Sequence, residues 1–265
     1  MEHKQRAEMP KRWGKPSVLT WILGIALILI IVHGLDRSEL TVARLFEGAG
    51  RLAEFTAHAF PPNVNRLNEV LIAAFETLEI AVIGTLAGAL LSIPIALLAA
   101  QNTTPHKSLY VGARTFISFL RAIPDLVWGL IFVVAIGLGP APGIFAITVD
   151  VIGFCGRFFS ERIEEVDEGP INSLKVSGAP IIAIVTGALL PATLPSFTAT
   201  TLFALEQAIR SAVVLGLVGA GGIGVELQTS MQMLLYDEAL TIILIIFLIV
   251  IMIERLSAWI RSKII

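Results

Sequence analysis

One stretch of the chain, residues 80–100, reads IAVIGTLAGALLSIPIALLAA and contains no charged side chain over its 21 residues. An α-helix rises about 1.5 Å per residue and the hydrocarbon core of a bilayer is about 30 Å thick, so roughly 20 apolar residues are enough to cross it. Residues 239–253 form a second charge-free run that is dense in isoleucine and leucine. These two runs predict a chain that folds as membrane-spanning helices.

Four further apolar runs bring the expected number of spans to about six, and they cover residues 18–32, 126–138, 143–154 and 181–205. Phe116–Leu120 lengthen the run 126–138 if that helix continues across Arg121, and the run 143–154 carries Asp150. The predicted fold class is therefore an all-α, polytopic membrane protein.

The composition supports this class. Of 265 residues, 55% are hydrophobic and 15% are charged, whereas a soluble domain carries about 25% charged residues. The mean hydropathy is +0.83. A formal net charge of −2 predicts no surface for nucleic acid, and Cys155, the single cysteine, excludes an internal disulfide framework and a cysteine-based metal site.

Lysine and arginine in short loops indicate which side of the membrane is cytoplasmic. With the N-terminus inside and six crossings, fourteen Lys and Arg residues fall on the cytoplasmic side and five fall outside. The five are Arg37, Arg44, Arg51, Arg66 and Arg210. This asymmetry predicts that both termini are cytoplasmic.

The chain before the second span divides into three predicted segments. Residues 1–16 form a basic cytoplasmic tail. Residues 17–35 form an uncleaved anchor, because no small-x-small cleavage site follows the apolar run. Residues 36–69 form an external segment whose apolar positions recur at helical spacing, and we expect this amphipathic helix to lie on the outer membrane surface. Residues 70–260 hold the remaining spans.

The cytoplasmic loop between spans four and five contains a short predicted helix, at about residues 169–179. Gly169-Pro170 suits its start, and Gly178-Ala179-Pro180 suits its end. A helix of two turns is unstable alone. Ile171 and Leu174 give it an apolar edge, which favours docking against a partner. An ordinary interhelical loop is the alternative.

The motif Gly219-Ala220-Gly221-Gly222-Ile223-Gly224 satisfies the G-x-G-x-x-G pattern of dinucleotide-binding folds. Its context excludes that function, because a short polar stretch leads straight into a transmembrane run instead of an amphipathic helix and a second strand. Irregular backbone at membrane depth is tolerated where it is buried in protein or lines a cavity. Residues 212–224 are therefore a candidate gate element, and tight helix packing through glycine is the alternative.

Glu206 and Arg210 stand four residues apart beyond span five, a spacing that favours an ion pair within a helix. A guanidinium matches phosphate-like oxygens, so Arg210 is a candidate for attracting an anion unless Glu206 neutralises it. Arg121 at the cytoplasmic end of span three is interpreted as reaching the headgroups. Glu76 is interpreted as interfacial and Asp150 as a partner for a neighbouring helix. The candidate pathway residues are Glu206, Arg210, Ser211, Gly219, Gly221 and Gly222.

Catalytic and nucleotide-binding motifs are absent from the sequence. It contains no H-E-x-x-H, no G-x-S-x-G and no G-x-x-x-x-G-K-[ST] loop, and its four histidines are scattered. We therefore expect neither a metal site nor a cofactor, and no ATPase site of the chain's own.

Two stretches carry a family resemblance. Arg121–Trp128 (RAIPDLVW) and Arg210–Gly224 (RSAVVLGLVGAGGIG) resemble the permeases of phosphonate ABC importers, and Phe60–Asn63 and Leu98–Asn102 are similar to that family too. The resemblance covers the chain from about residue 60, and methionine-type permeases share the glycine stretch in a looser form. It implies the type I ABC-importer permease fold in a bacterial inner membrane.

Such permeases also carry a cytoplasmic motif, E-A-A-x3-G-x9-I-x-L-P, which contacts an ATPase. Gly178, Leu190 and Pro191 fall in register with it. Asn172 replaces the glutamate, Ser173 and Leu174 replace the alanines, and Ala188 replaces the isoleucine. The resemblance implies that the short helix couples to the ATPase through Asn172, Ser173, Leu174, Gly178 and Pro191.

The same resemblance implies the partners: two copies of a separate ATP-binding subunit, an external substrate-binding protein and a second copy of the chain. The implied cargo is phosphonate, phosphite or hypophosphite, selected mostly by the binding protein. An ABC permease for methionine or another small solute is the alternative. A secondary transporter would need an ion relay at the midplane, where Asp150 is the single acid, and an intramembrane enzyme would need paired acids or a His/Ser site that the sequence lacks.

Overall fold

The structure is a computed structural model that describes residues 17–38 and 41–264. The predicted basic tail, residues 1–16, lies outside the described residues. The chain divides into two compact units, one up to Ala57 and one from His58 onward. Over residues 17–38 and 41–264, the secondary structure is helical and includes no strand.

The helices follow one another with short connections. Their bounds are α1 Val18–Arg37, α2 Val42–Ala59, α3 Leu67–Ala99, α4 Lys107–Ala122, α5 Asp125–Ile136, α6 Pro140–Glu164, α7 Glu168–Val176, α8 Ile181–Ile184, α9 Leu190–Gly216, α10 Ile223–Gln232 and α11 Tyr236–Ile264. A π-helical turn, Val185–Leu189, joins α8 to α9 without a break.

Five helical stretches are long and apolar enough to cross a membrane: α1, α3, α6, α11 and the continuous helix Ile181–Gly216. The pair α4 and α5 forms a sixth if the two are taken together, and they meet at an angle of 86°. The prediction of about six spans is confirmed. The helix α4 continues across Arg121, as predicted, but it breaks before α5, because Pro124 disfavours helical backbone at Ile123, which is extended (φ −100°, ψ 121°).

In the first unit, α1 extends over the predicted anchor and has no buried residue. A helix without a buried face suits lipid on all sides. The amphipathic helix expected between the first two spans is present as α2. Its location on the outer membrane surface remains a prediction.

In the second unit, α3 and α6 run parallel and pack through small residues. A Cβ placed on Gly84 would lie 2.7 Å from Ile147 Cγ2, and one on Gly88 would lie 2.6 Å from Val151 Cβ. Close approach of helix backbones through glycine is the usual packing device in membranes, where no hydrophobic force drives helices together. The α3–α6 pair therefore forms the centre of the helix bundle.

The helix α9 packs against both α6 and α3. The rings of Phe159 and Phe197 are stacked with centroids 4.0 Å apart, and Phe154 stacks on Phe203 at 5.7 Å. The helix continues to Gly216, well beyond the predicted end of this span at residue 205. Glu206 and Arg210 consequently lie within the helix and not beyond it.

Candidate translocation and coupling sites

A cavity of about 340 Å³ opens at the break between α4 and α5. The break itself, α6 and α9 form its walls, and its polar lining consists of Arg121, Asp125, Asp150, Gln207 and Ser211. Asp150 follows the start of α6 by ten residues, about 15 Å of helix, and precedes its end by about 21 Å. The cavity therefore lies close to the middle of the membrane-spanning bundle.

Arg121 reaches this cavity because α6 offers no side chain at Gly153. A Cβ on Gly153 would lie 2.9 Å from Arg121 Cγ, so the arginine stem occupies the space that a larger residue would fill. Within residues 17–38 and 41–264, Arg121 has no carboxylate at ion-pair distance. The stem of Arg121 packs against the middle of α6 and its side chain lines the cavity, and its interpretation as a headgroup contact stays a prediction. Among the described residues, Asp150 likewise has no ion-pair partner on a neighbouring helix.

Glu206 and Arg210 do not pair with each other. Arg261 Nη1 donates to Glu206 Oε1 at 2.7 Å, and Arg210 Nη1 donates to Glu254 Oε1 at 2.7 Å. The remaining contacts of Arg210 are with Gln207 Oε1, at 2.8 Å from Nη2 and 3.2 Å from Nε. Glu254 lies eighteen residues into α11, about 27 Å along the helix, so the expected outer location of Arg210 is wrong.

The predicted pathway residues thus divide between two places. Ser211 lines the cavity at the helix break, whereas its neighbour Arg210 forms an ion pair with Glu254 on α11. Whether Arg210 attracts an anion stays a prediction, and that role would require it to leave Glu254.

The glycine motif forms an irregular turn between α9 and α10. Gly219, Gly221 and Gly222 have φ values of +88°, +83° and +74°, a region that favours glycine. Gly222 N donates to Glu76 Oε1 at 3.2 Å, and Ile223 N donates to Thr77 Oγ1 at 2.7 Å. The prediction of non-helical backbone is confirmed.

The tight-packing alternative for this motif also holds. A Cβ on Gly221 would lie 2.7 Å from Glu76 Oε1, and one on Gly222 would lie 2.5 Å from Thr77 Oγ1. A second cavity of about 340 Å³ adjoins the turn and is lined by Gly219, Gly221 and Gly222 together with Glu76 and Glu226. Sequence reasoning placed Glu76 at the interface, but it is half-buried and fixes the glycine turn.

The short helix predicted at about residues 169–179 is present as α7. The Asp167 carboxylate accepts a hydrogen bond from Gly169 N at 3.2 Å at its start. At its end Gly178 has φ +77°, and Ala179 N donates to Leu174 O at 3.1 Å, as in glycine-terminated helices. The short-helix prediction is confirmed, and the plain-loop alternative is wrong.

The apolar edge of α7 packs against the core of the chain. Ile171 is buried and Leu174 packs against the same core cluster as Ile184 and Leu189. Asn172 and Ser173 are exposed on the other face, and Val176 is 90% exposed. Val176 was missed because the E-A-A motif gives its position no defined residue. Pro191, the second residue of α9, is exposed as well.

Comparison with known proteins identifies the chain. Residues 92–265 match the family described as binding-protein-dependent transport system inner membrane component. The chain belongs to this family. The permease is 32% identical over 250 residues to the phosphite transport system permease protein PtxC of Stutzerimonas stutzeri, which covers 94% of this chain and 90% of that protein.

Two further relatives have similar names. The putative phosphite transport system permease protein HtxC of Stutzerimonas stutzeri is 36% identical over 223 residues, which is 84% of this permease and 79% of that protein. The phosphate-import permease protein PhnE of Mycolicibacterium smegmatis is 39% identical over 206 residues, which is 77% of this permease. The match spans 39% of the length of the mycobacterial protein.

Solved structures show the same fold. A chain of the MetNI methionine ABC transporter, in a crystal form with inward-facing conformations, matches with a TM-score of 0.66 and 22% identity over 76% of this permease and 99% of that chain. A chain from an amino acid ABC transporter crystallised with histidines matches with a TM-score of 0.61 and 15% identity, over 75% of this permease and 95% of that chain. The protein is thus a multi-pass inner-membrane permease with the type I importer fold.

Next to α7, a network of hydrogen bonds joins α3, α4 and α6 of the permease. Glu164, the last residue of α6, accepts from Arg114 Nη2 at 2.9 Å and from Gln101 N at 2.8 Å. Arg114 Nε also donates to Ala99 O, at the end of α3, at 3.0 Å. One carboxylate therefore ties α3 and α4 to the segment that leads into α7, and no sequence motif indicated it.

A corresponding network lies at the opposite end of the bundle. Arg66, just before α3, contacts Glu69, Glu226 and Glu238. The hydrogen bond to Glu69, followed by the charges of Glu226 and Glu69, raises the pKa of Arg66. Because arginine is already charged at any physiological pH, this rise does not change its charge there.

Proposed function

We propose that the permease is the membrane-spanning subunit of an ATP-driven importer that carries a phosphonate or a related phosphorus oxyanion, such as phosphite or hypophosphite. The names of three relatives, at 32–39% identity, support a phosphorus oxyanion as cargo. The D-methionine transport system permease protein MetI of Pasteurella multocida is more distant, with 28% identity over 58% of this chain.

The observation that carries the proposal is the set of polar side chains at the helix break. Arg121 and Gln207 are exposed on this chain at mid-membrane depth. A charged side chain facing lipid there costs about 2.5–3.5 kcal/mol, so such residues face a water-filled path or protein. We infer that a second copy of the permease covers this face and that the path runs between the two copies.

Coupling to ATP is assigned to the exposed face of α7. Asn172, Ser173 and Val176 are accessible there, while Ile171 and Leu174 anchor the helix to the permease. Two copies of a separate ATP-binding subunit would each receive one α7, on the side where both termini lie. A substrate-binding protein would deliver cargo to the opposite side, where Arg66 joins α3, α10 and α11.

The residues that the sequence predicts to line the translocation pathway remain proposals, and the cavities support some of them better than others. Ser211 lines the cavity at the helix break, and Gly219, Gly221 and Gly222 line the cavity at the glycine turn. Glu206 and Arg210 are held by Arg261 and Glu254, so a direct role for them is less well supported.

A methionine or amino-acid importer is the second candidate. The 28% identity to the D-methionine transport system permease protein MetI of Pasteurella multocida, over 58% of this chain, favours this candidate. Both candidates share the fold and the coupling mechanism, and they differ in cargo.

Uptake into proteoliposomes tests the proposal. The vesicles would hold the permease, its ATP-binding subunit and its binding protein, and would be offered phosphonate, phosphite, hypophosphite or methionine. We expect uptake of a phosphorus oxyanion that requires ATP and all three components. Uptake without the ATP-binding subunit would mean a secondary transporter, and uptake of methionine alone would favour the second candidate.

Replacing Gly178 with valine tests the coupling helix. Its φ of +77° costs a β-branched side chain about 1–2 kcal/mol, although nothing lies within 4 Å of the added Cβ. We expect the variant to insert normally but to lose ATP-driven uptake while ATP hydrolysis continues. The matched control is Gly112→Val, on α4, where there is also no atom within 4 Å and φ is not positive. Unchanged coupling in Gly178→Val would refute the assignment of α7.

A further inference from the structure

The outward face of α11 carries a stripe of side chains that changes from apolar to basic towards the C-terminus. Its members, all of them exposed, are Leu244, Leu248, Ile251, Arg255, Trp259 and Lys263. We propose that this α11 stripe binds an anionic phospholipid. The apolar part packs against an acyl chain, while Arg255, Trp259 and Lys263 hold the phosphate headgroup. Such a lipid site is independent of the cargo.

The members of the α11 stripe lie on one face because they recur at intervals of three or four residues, a spacing that brings helical side chains above one another. Leu248 and Trp259 are each 57% exposed. Ala239 and Ser257 are buried on the opposite side of the helix, where α11 packs against α3, α9 and α10. The α11 stripe therefore points away from the helices of its own chain.

The length of the apolar part matches one leaflet of a bilayer. From Leu244 to Arg255 the helix rises by about 16 Å, close to half of a hydrocarbon core that is about 30 Å thick. The charge-free run 239–253 ends just before Arg255, so the basic part begins where the hydrocarbon ends. Tryptophan is enriched at this level, where Trp259 stands.

The charges of the basic part are not used within the chain. Arg261, which lies on another side of α11, donates to Glu206 at 2.7 Å. Arg255 and Lys263, in contrast, have no carboxylate at ion-pair distance among residues 17–38 and 41–264. The α11 stripe thus offers two cations and no anion, the complement of a negatively charged headgroup.

The aromatic ring between the two cations fixes one of them. Lys263 Nζ lies 4.1 Å from the centroid of the Trp259 ring, a cation–π contact that holds the ammonium group on the stripe. Arg255 precedes Trp259 by one helical turn, so the ring separates the two charges. A phosphate that lies beside the ring can therefore contact a guanidinium on one side and an ammonium on the other.

The pattern of the α11 stripe also decides among possible occupants. A soluble subunit could cover the basic part, but it could not reach the apolar part, which extends about 16 Å into the membrane. A second copy of the permease is assigned above to the helix break, where Arg121 and Gln207 are exposed. A phospholipid matches both parts, because it joins an acyl chain to a charged headgroup.

Native mass spectrometry of the complex of the permease with its ATP-binding subunit tests the site. The complex in detergent is titrated with phosphatidylglycerol or with phosphatidylethanolamine of the same acyl chains, two lipids that differ in the net charge of the headgroup. We expect the first phosphatidylglycerol on each permease copy to bind at least about tenfold more tightly, because each basic residue near an anionic lipid contributes roughly a factor of five.

Paired variants assign the preference to the α11 stripe. Arg255→Gln with Lys263→Gln should reduce it to less than about twofold, whereas Arg255→Lys with Lys263→Arg should keep it, because the charges remain. The matched control is Lys107→Gln with Arg157→Gln, which removes the same two positive charges from α4 and α6 and should leave the preference unchanged.

Equal binding of the two lipids by the native complex would overturn the proposal. A preference that survives in the Arg255 and Lys263 double Gln variant, or that is lost equally in the control, would overturn it as well. So would a preference that is present only after the ATP-binding subunit is removed, since that subunit would then cover the basic part. If the double Gln variant does not insert, Arg255→Gln alone decides, with an expected weakening of about fivefold for phosphatidylglycerol.

Discussion

The helix break and the contact between α9 and α11 place two arginines at similar membrane depth in opposite situations. Arg121 lies beside two carboxylates without an ion pair, whereas Arg210 bonds to Glu254 and to Gln207. A paired charge is satisfied by the protein and holds helices together. An unpaired charge that lines a cavity is available to bind a solute during transport. The burial and the depth of the two arginines would not distinguish them. They differ in whether their N–H groups are bonded to a carboxylate of the protein.

The largest effect is expected at the unpaired arginine. Arg121→Gln should lower uptake by about ten- to a hundredfold, because a hydrogen bond to a charged group is worth about 1.5–3 kcal/mol. Thermal stability in detergent should not fall, since no ion-pair partner loses its contact. Initial uptake rates and unfolding temperatures measure the two quantities.

The control for this prediction is Arg51→Gln, which removes a positive charge from α2, where Arg51 pairs with Glu47. It should leave uptake unchanged. A loss of stability in Arg121→Gln equal to its loss of uptake would mean that Arg121 is structural, and the contrast between the two arginines would disappear.

The short helix α7 shows a similar contrast within one element, between an apolar side chain that packs inside the permease and one that is exposed. Ile171 is buried against the core, and Val176 is 90% exposed. Val176→Asp should weaken assembly with the ATP-binding subunit about tenfold, because it places a charge where an apolar side chain is expected to be covered. Ile171→Asp should instead destabilise the permease.

Co-purification of the two subunits and unfolding temperature together measure this second prediction. Val64→Asp, an equal change at an exposed valine before α3, serves as the control and should affect neither. If Val176→Asp assembles normally, the ATP-binding subunit contacts another face of α7.

A smaller effect is expected from crowding the stem of Arg121. The methyl group of Gly153→Ala would lie 2.9 Å from Arg121 Cγ, and the flexible side chain must move to admit it. We expect uptake to fall about threefold, near 0.6 kcal/mol, while stability is kept by the better helix propensity of alanine.

Gly156→Ala, one turn further along α6, is the matched control because its methyl group would meet Ile117 at 3.3 Å and not an arginine. It should leave uptake unchanged. Equal losses in the two variants would mean that general packing on α6, and not the position of Arg121, sets the rate.

The features that depend on local sequence were predictable. The run at residues 80–100 indicated a span because length and composition alone decide it, and the glycines and prolines around residues 169–180 predicted α7. The irregular turn at Gly219–Gly222 followed from the same logic, since its positive φ values suit glycine.

The features that depend on tertiary packing were not predictable. Hydropathy does not report an angle, so the 86° bend after Arg121 was missed although Pro124 marks it. Polar residues from Glu206 to Arg210 interrupted the apolar run, and α9 was predicted to end too early. Their partners, Arg261 and Glu254, lie 55 and 44 residues away, which local spacing rules cannot reach.

The smallest effect is expected at the paired arginine, and it decides whether the contrast holds. The side chains of Arg210 and Glu254 are 41% and 48% exposed, and an ion pair of that exposure contributes less than about 1 kcal/mol. Arg210→Gln should therefore lower stability slightly and uptake by no more than about twofold. The double variant Arg210→Gln with Glu254→Gln should restore stability, because no unpaired carboxylate remains. If Arg210→Gln abolishes uptake while the double variant is stable and equally inactive, Arg210 must release Glu254 during transport, and the pair is then a switch and not a fixed contact.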